Sequence, residues 1–149
     1  MSRVFSRLKV RPVRGGRDVR HLRARLSLQP LEGRVAPATF TVTNVSDAGN
    51  GSLRQAILNA NSLAGVDDIV FDPAVFAVPR TISLTSAELL VSQGQNITGP
   101  GAGLLTVRRD PAAAAAFRVF DFNFPSGGTA TLSGMTISDG RSNAKRSRA

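Results

Sequence analysis

Polar and apolar residues change rhythm as this chain proceeds. From Thr39 to Thr43 they alternate as Thr-Phe-Thr-Val-Thr, the period a half-buried strand requires. A turn cluster follows, Ser46-Asp47-Ala48-Gly49-Asn50-Gly51. The period then lengthens: Leu53, Ala56, Ile57 and Ala60 fall at i, i+3, i+4 and i+7. That spacing predicts a helix over 52–61 with one narrow apolar stripe. Ser52 as N-cap, with Gln55 three residues later, reads as a capping box that satisfies two orphan amide donors. Gly65 suits the loop that follows.

Beyond the helix the pattern breaks into short strand-like runs. These are 68–71, 81–85, 88–91, 95–98, 104–107, 117–120, 129–132 and 135–138, separated by Gly, Pro, Asn and Asp. Two glycine corners resemble each other: Asn96-Ile97-Thr98-Gly99 and Thr131-Leu132-Ser133-Gly134, 35 residues apart. Asp110-Pro111 and the Ala112–Ala116 run read as an insertion between them. Small strands, glycine corners and weak self-similarity suit a solenoid, in which each coil buries its face on the next. A β-sandwich is the rival, because its strands have similar spacing. No Trp or Tyr is present, and no Asn-Gly joins two of the strand-like runs, which favours the solenoid. The expected fold is therefore an all-β parallel β-helix of about three coils over 39–140, with the helix near 52–61 as its amino-terminal cap.

Composition narrows the chemistry. The 149 residues suffice for one domain with tails. With no Cys, a disulfide scaffold, thiolate catalysis and Cys-ligated zinc are excluded. The one His, His21, lies in the basic leader, so His-dependent catalysis has little to work with. No apolar run approaches the roughly 18 residues of a membrane span. The net charge of +9 belongs to the ends. Residues 1–38 hold ten Lys/Arg against Asp18 and Glu32, and 141–149 hold Arg141, Lys145, Arg146 and Arg148 without an acid. Between them, 39–140 carry five Arg against eight Asp/Glu, a net of −3. A nucleic-acid domain carries its basic stripe on the folded surface with stacking aromatics nearby, so no nucleic acid is expected on this body.

The leader lacks the apolar core of a secretory signal and has the Arg-rich make-up of a targeting segment or a disordered basic arm. Its single Arg14-Gly15-Gly16-Arg17 is too little for an RNA-binding repeat.

Two stretches resemble known families. Phe40-Thr41-Val42-Thr43-Asn44-Val45-Ser46-Asp47, followed by Gly51-Ser52-Leu53-Arg54-Gln55-Ala56-Ile57-Leu58-Asn59-Ala60-Asn61, resembles the amino-terminal cap of bacterial right-handed parallel β-helix surface proteins. The continuation is similar too, through Asp68-Ile69-Val70-Phe71-Asp72, Ile82-Ser83-Leu84-Thr85 and Ile97-Thr98-Gly99-Pro100-Gly101-Ala102-Gly103. That group often carries Cys where Gly51 stands. Leu31-Glu32-Gly33-Arg34, after a basic stretch and just before the first strand, resembles the export-associated Leu-Glu-x-Arg motif of large planctomycete extracellular proteins. Together the two imply an extracellular or cell-surface address and a pectin-lyase-like fold.

The resemblance does not assign a reaction. Parallel β-helices include pectate lyases, with calcium-binding carboxylates and an Arg base, and inverting hydrolases with several Asp. Here Asp67 and Asp68 are adjacent, so in a strand they face opposite sides and cannot share a substrate. Asp110, Asp121 and Asp139 are isolated in sequence, and Arg108-Arg109 reads as a solvated strand end. Gly99–Gly103 lacks the Lys-Ser/Thr and helix of a phosphate loop and reads as solenoid corners. Asn44, Asn50 and Asn96 fit the glycan-acceptor pattern but suit turns as well. No spaced Asp-x-Asp-x-Asp loop supports calcium. No catalytic, cofactor-binding or metal-ligating residue is assigned, and no cofactor is expected.

After Gly140 the β rhythm stops, and Arg141–Ala149 brings nothing apolar to cover a last coil. The expectation is an amino-terminal piece of a longer protein whose open end, with Leu132, Met135 and Ile137, favours self-association. The expected function is a non-catalytic surface module with a structural, adhesive or interaction role, with surface polysaccharide or other surface proteins as partners. The alternative is the remnant of a carbohydrate-active enzyme, a polysaccharide lyase or hydrolase.

Overall fold

The computed structural model describes residues 36–125 and 127–141. The readings placed on the leader before residue 36 and on the tail after 141 lie outside the described residues. Within them, β1 (Thr39–Val42) leads to α1 (Leu53–Asn61), then β2 (Val66–Phe71), β3 (Arg80–Leu84) and β4 (Leu89–Val91). The pattern repeats with β5 (Gly94–Thr98), β6 (Leu105–Arg109) and β7 (Phe120–Phe122), then β8 (Ala130–Ser133) and β9 (Thr136–Ser138).

Every strand pair is parallel, and apart from β1 and β2, which flank α1, no two sequential strands pair with each other. The first sheet runs β1-β2-β5-β8, the second β3-β6-β9 and the third β4-β7. This is a parallel β-solenoid of about three turns, as the strand and glycine pattern predicted. Each coil visits the three sheets in order, so a residue stacks on its equivalent one coil later. Ile69 registers with Ile97 and Ile97 with Leu132, while Ile82 registers with Val107 and Val107 with Ile137. Alternate residues point inward, and these rows form the core: Ile69, Ile82, Leu84, Leu89, Val91, Ile97, Leu105 and Val107 are all buried.

The two similar glycine corners turn out to be stacked. Thr98 registers with Ser133, and Gly99 N–H donates to Ser133 O at 2.9 Å. A Cβ on Gly99 would collide with the Gly134 carbonyl, and a Cβ on Gly134, whose φ is 66°, would collide with that of Gly99. The internal similarity is one coil of the stack, packed backbone on backbone where only glycine fits.

Helix α1 takes the place a strand would fill in the coil before β4. It buries Leu53, Ala56, Ile57 and Ala60, the predicted stripe, against β1, β2 and β4. Ser52 Oγ accepts from Gln55 N–H at 3.2 Å, so half of the capping box forms. The other half does not. Gln55 turns its amide to Asn59 Oδ1 at 2.8 Å, and Ser52 N–H donates to Gly49 O in the preceding turn. Once the turn supplies an acceptor, the Gln55 side chain is free to bond along the helix.

Two further expectations are corrected. The run 117–120 is not a strand: β7 begins at Phe120, since its partner β4 starts at Leu89, which registers with Phe120. Phe117 and Val119 are buried just outside the strand, where Val119 O accepts from Leu89 N–H at 2.9 Å and Phe117 O from Arg141 N–H at 2.8 Å. Arg108-Arg109 is not a solvated strand end either. Both belong to β6, and Arg109 is only 2% exposed.

Candidate functional site

The outer face of the second sheet carries the most regular polar pattern. Thr81 registers with Thr106 and Thr106 with Thr136, giving a row of hydroxyls across three coils. Beside it runs Ser83, Arg108 and Ser138. Both rows arise from period-2 alternation: their neighbours Ile82, Leu105 and Val107 point inward and fill the core. Arg108 Nε donates to Ser83 Oγ at 3.2 Å, and no carboxylate among the described residues pairs with it. A flat face with hydroxyls around one guanidinium can hydrogen-bond a polyol and attract an anion.

A cleft of about 530 Å³ opens at the corner between the first and second sheets. Its walls are mostly apolar, with Val70, Phe71, Phe76, Pro100 and Leu104, and with Thr98 as a polar group. Phe71 and Phe76 meet edge to face, 5.1 Å between centroids, which fixes that wall.

The carboxylates singled out in the sequence are dispersed among structural roles. Asp67 is fully buried while Asp68 faces outward and accepts from Asn96 Nδ2 at 3.0 Å, so the two lie on opposite sides of β2 as expected. Asp110 accepts from Ala112 N–H at 2.8 Å in its own turn. Asp121 pairs with exposed Arg118 at 3.1 Å. Asp139 accepts from Ser138 Oγ at 3.2 Å. Among the described residues no three His, Cys, Asp or Glu gather in a metal-binding group. Asn44 folds its side chain into the turn, accepting from Ser46 N–H and donating to Asn50 O.

Buried Arg109 spans the insertion. Its Nη1 donates to Ala113 O and Ala115 O at 3.2 and 3.3 Å, and its Nε to Asp139 O at 3.3 Å. The guanidinium lies 5.9 Å from the Phe117 ring centroid. Three carbonyls and a π face replace water around the cation, so this arginine holds the Ala-rich loop to the last coil.

Sequence reasoning missed a polar node at the leading end. Arg54 Nη2 pairs with Asp47 Oδ1 at 2.7 Å, and the same guanidinium donates to Ala87 O and Glu88 O at 2.7 and 2.8 Å. Asp47 Oδ2 accepts from Thr85 N–H, Thr85 Oγ and Ser86 N–H. Burial works against ionisation of Asp47, but bonds from Arg54, Ser86 and Thr85 outweigh it and hold the carboxyl well below the usual range. Asn61 completes the seal, donating to Leu90 O and accepting from Ser92 N–H. The carbonyls of Glu88 and Leu90 and the amide of Ser92 point away from β7, so two helix side chains satisfy an otherwise open strand edge. No local signal marks these residues, because their partners on 85–92 lie 29–39 positions away.

Among the described residues no helix is long and apolar enough to cross a membrane. Comparison with known proteins finds no matching family model, no matching curated protein and no matching solved structure.

Proposed function

We propose that the chain is a non-catalytic β-helix module of an extracellular or cell-surface protein, with a structural or adhesive role toward anionic surface polysaccharide. The observation that carries the reading is the outer face of the second sheet, where hydroxyls of Thr81, Thr106, Thr136, Ser83 and Ser138 surround Arg108. Parallel stacking repeats these groups about 4.8 Å apart, a regular array suited to a repeating sugar chain. The carboxylates that a hydrolase or lyase would use are bound in turns, ion pairs and the core. The extracellular address and the pectin-lyase-like character rest on the leader and cap resemblances.

The test is cosedimentation of the full chain with insoluble polygalacturonate and with neutral cellulose, while released reducing ends are followed. Binding to the acidic polymer, weakened several-fold by Arg108→Ala and without release of ends, is the expected result. Equal binding by wild type and Arg108→Ala removes this face from the account. Release of reducing ends makes the protein an enzyme.

A further inference from the structure

The sequence contains a single Asn-Gly pair, Asn50-Gly51, and the fold uses it as the turn that seats α1. Ser52 N–H donates to Gly49 O at 3.2 Å across the pair, and Gly51 has a φ of 77°, which makes this a type II turn. Glycine is required at 51, since a Cβ there would also collide with the side chains of Thr43 and Asn44. Three further bonds hold the turn to the end of β1. Thr43 N–H and Asn44 N–H donate to Gly51 O at 2.8 and 3.2 Å, and Asn44 Nδ2 donates to Asn50 O at 2.8 Å.

The groups that these bonds leave free are the two that can react with each other. Asn50 is exposed, and among the described residues neither its side-chain amide nor the Gly51 N–H has a hydrogen-bond partner. A glycine nitrogen after an asparagine is the least hindered case for closing a cyclic imide, because no Cβ stands beside it. The turn opposes that closure. A type II turn sets ψ of Asn50 near about 120°, which points the Gly51 nitrogen away from the Asn50 side chain. Rotating this bond into the reactive position carries Asn50 O off Asn44 Nδ2 and breaks the Ser52–Gly49 bond.

We propose that Asn50-Gly51 is a self-modification site whose reaction is gated by the seating of the cap. When the turn opens, the Gly51 nitrogen gives its proton to hydroxide and attacks Asn50 Cγ. The new C–N bond forms, the Cγ–Nδ2 bond breaks, and ammonia leaves. Water then opens the imide: attack at Cγ gives aspartate, and attack at the main-chain carbonyl gives isoaspartate. Net, one water is consumed and one ammonia released. Aspartate fits the turn, because the side chain at 50 has no bond to lose. Isoaspartate does not, because its backbone carries an extra methylene. That insertion shifts Gly51 O from Thr43 and Asn44, and with it Ser52, whose Oγ caps α1 through Gln55 N–H. One opening followed by reaction therefore unseats the start of α1 permanently.

The test is incubation of the full chain at mildly alkaline pH, with peptide mass mapping and an isoaspartate-specific methyltransferase assay. Native wild type should lose the Asn50 amide at least about tenfold more slowly than the urea-unfolded chain, since local opening is a minor population. Asn44→Ala, which removes the tether to Asn50 O, should react several-fold faster than native wild type. Ile82→Ala, which loosens the core instead, should stay closer to the wild-type rate. The isoaspartate fraction should unfold at lower urea than the unmodified chain. Equal rates in the native and unfolded chains overturn the proposal. So does an Ile82→Ala chain accelerated as much as Asn44→Ala, which would mean that only global unfolding exposes the pair. An isoaspartate fraction as stable as the unmodified chain also overturns it. If Asn44→Ala does not fold, the wild-type rate ratio and the stability of the isoaspartate fraction decide.

Discussion

The two ends of the solenoid are made of similar strands and finished in different ways. At the leading end α1 lies over β4, and its Arg54 and Asn61 bind the outward-pointing backbone groups of 87–92. Inward residues there are sealed: Val42, Leu53 and Ile57 are at most 1% exposed. At the trailing end β7, β8 and β9 are the outermost strands of their sheets. Among the described residues nothing lies over them, and the inward positions Phe122 and Ile137 are 46% and 47% exposed. The same alternating pattern thus yields a core residue or a half-exposed one according to what stacks on it. In a solenoid burial belongs to the interface between coils and not to the coil itself.

That contrast is sharpest in a matched pair of truncations. Ile57→Ala should cost about 2–5 kcal/mol, while Ile137→Ala, with the same atoms removed from a half-exposed site, should cost less than about 1 kcal/mol. Urea denaturation of the full chain measures both. Equal costs would mean that the trailing end is as well covered as the leading one.

Asp47→Ala should come next, at about 2–3 kcal/mol, because it strands the Arg54 guanidinium and the amides of Thr85 and Ser86. The wild-type contribution depends on pH in a definite direction. The folded carboxyl lies below its ordinary value of 3.8, so the stabilisation is full above that value and fades as pH falls below it. Asp47→Ala should therefore lose less stability than wild type on acidification. Parallel acid profiles would remove Asp47 from the seal.

Gly134→Ala tests the stacked corner, where the φ of 66° and the Gly99 carbonyl both oppose a side chain. A loss of about 1–2 kcal/mol is expected from the left-handed conformation alone, with the contact adding to it. Gly103→Ala, where a Cβ meets nothing within 4 Å, is the control and should be nearly neutral.

The smallest effect concerns association. With α1 covering one end, we expect copies of the chain to meet through β7, β8 and β9, more so as salt screens the basic residues from Arg141 onward. Sedimentation velocity in low and high salt should show salt-promoted self-association that Ile137→Asp abolishes. A monomer under both conditions refutes this.

Much of the fold was legible because its signals are local. Strand alternation, the helix stripe of Leu53, Ala56, Ile57 and Ala60, the Ser52 cap and the two glycine corners each lie within a few residues. The errors share a cause. Arg108-Arg109 looked like a polar strand end, and only the 110–116 loop folding back explains why Arg109 is buried. Asp47 looked like one more turn residue because Thr85 and Ser86 lie 38 and 39 positions on. For the candidate site, alternation placed Thr81, Thr106 and Thr136 on the outside of strands, but nothing local gave their register.

What the sequence determined by itself was which residues turn inward, where the chain bends and where a helix interrupts the strands. Steric and hydrophobic preferences act over a few bonds and leave a readable period. What only the tertiary structure decided was who stands above whom: Gly99 on Gly134, Asp67 beside Gln95, Arg54 across the edge of β4. Those pairings depend on the length of each coil, and loops such as 110–119 change that length without changing the pattern on either side. Hydrogen bonds and charges act between neighbours in space, so their partners are fixed only when the coils come into register.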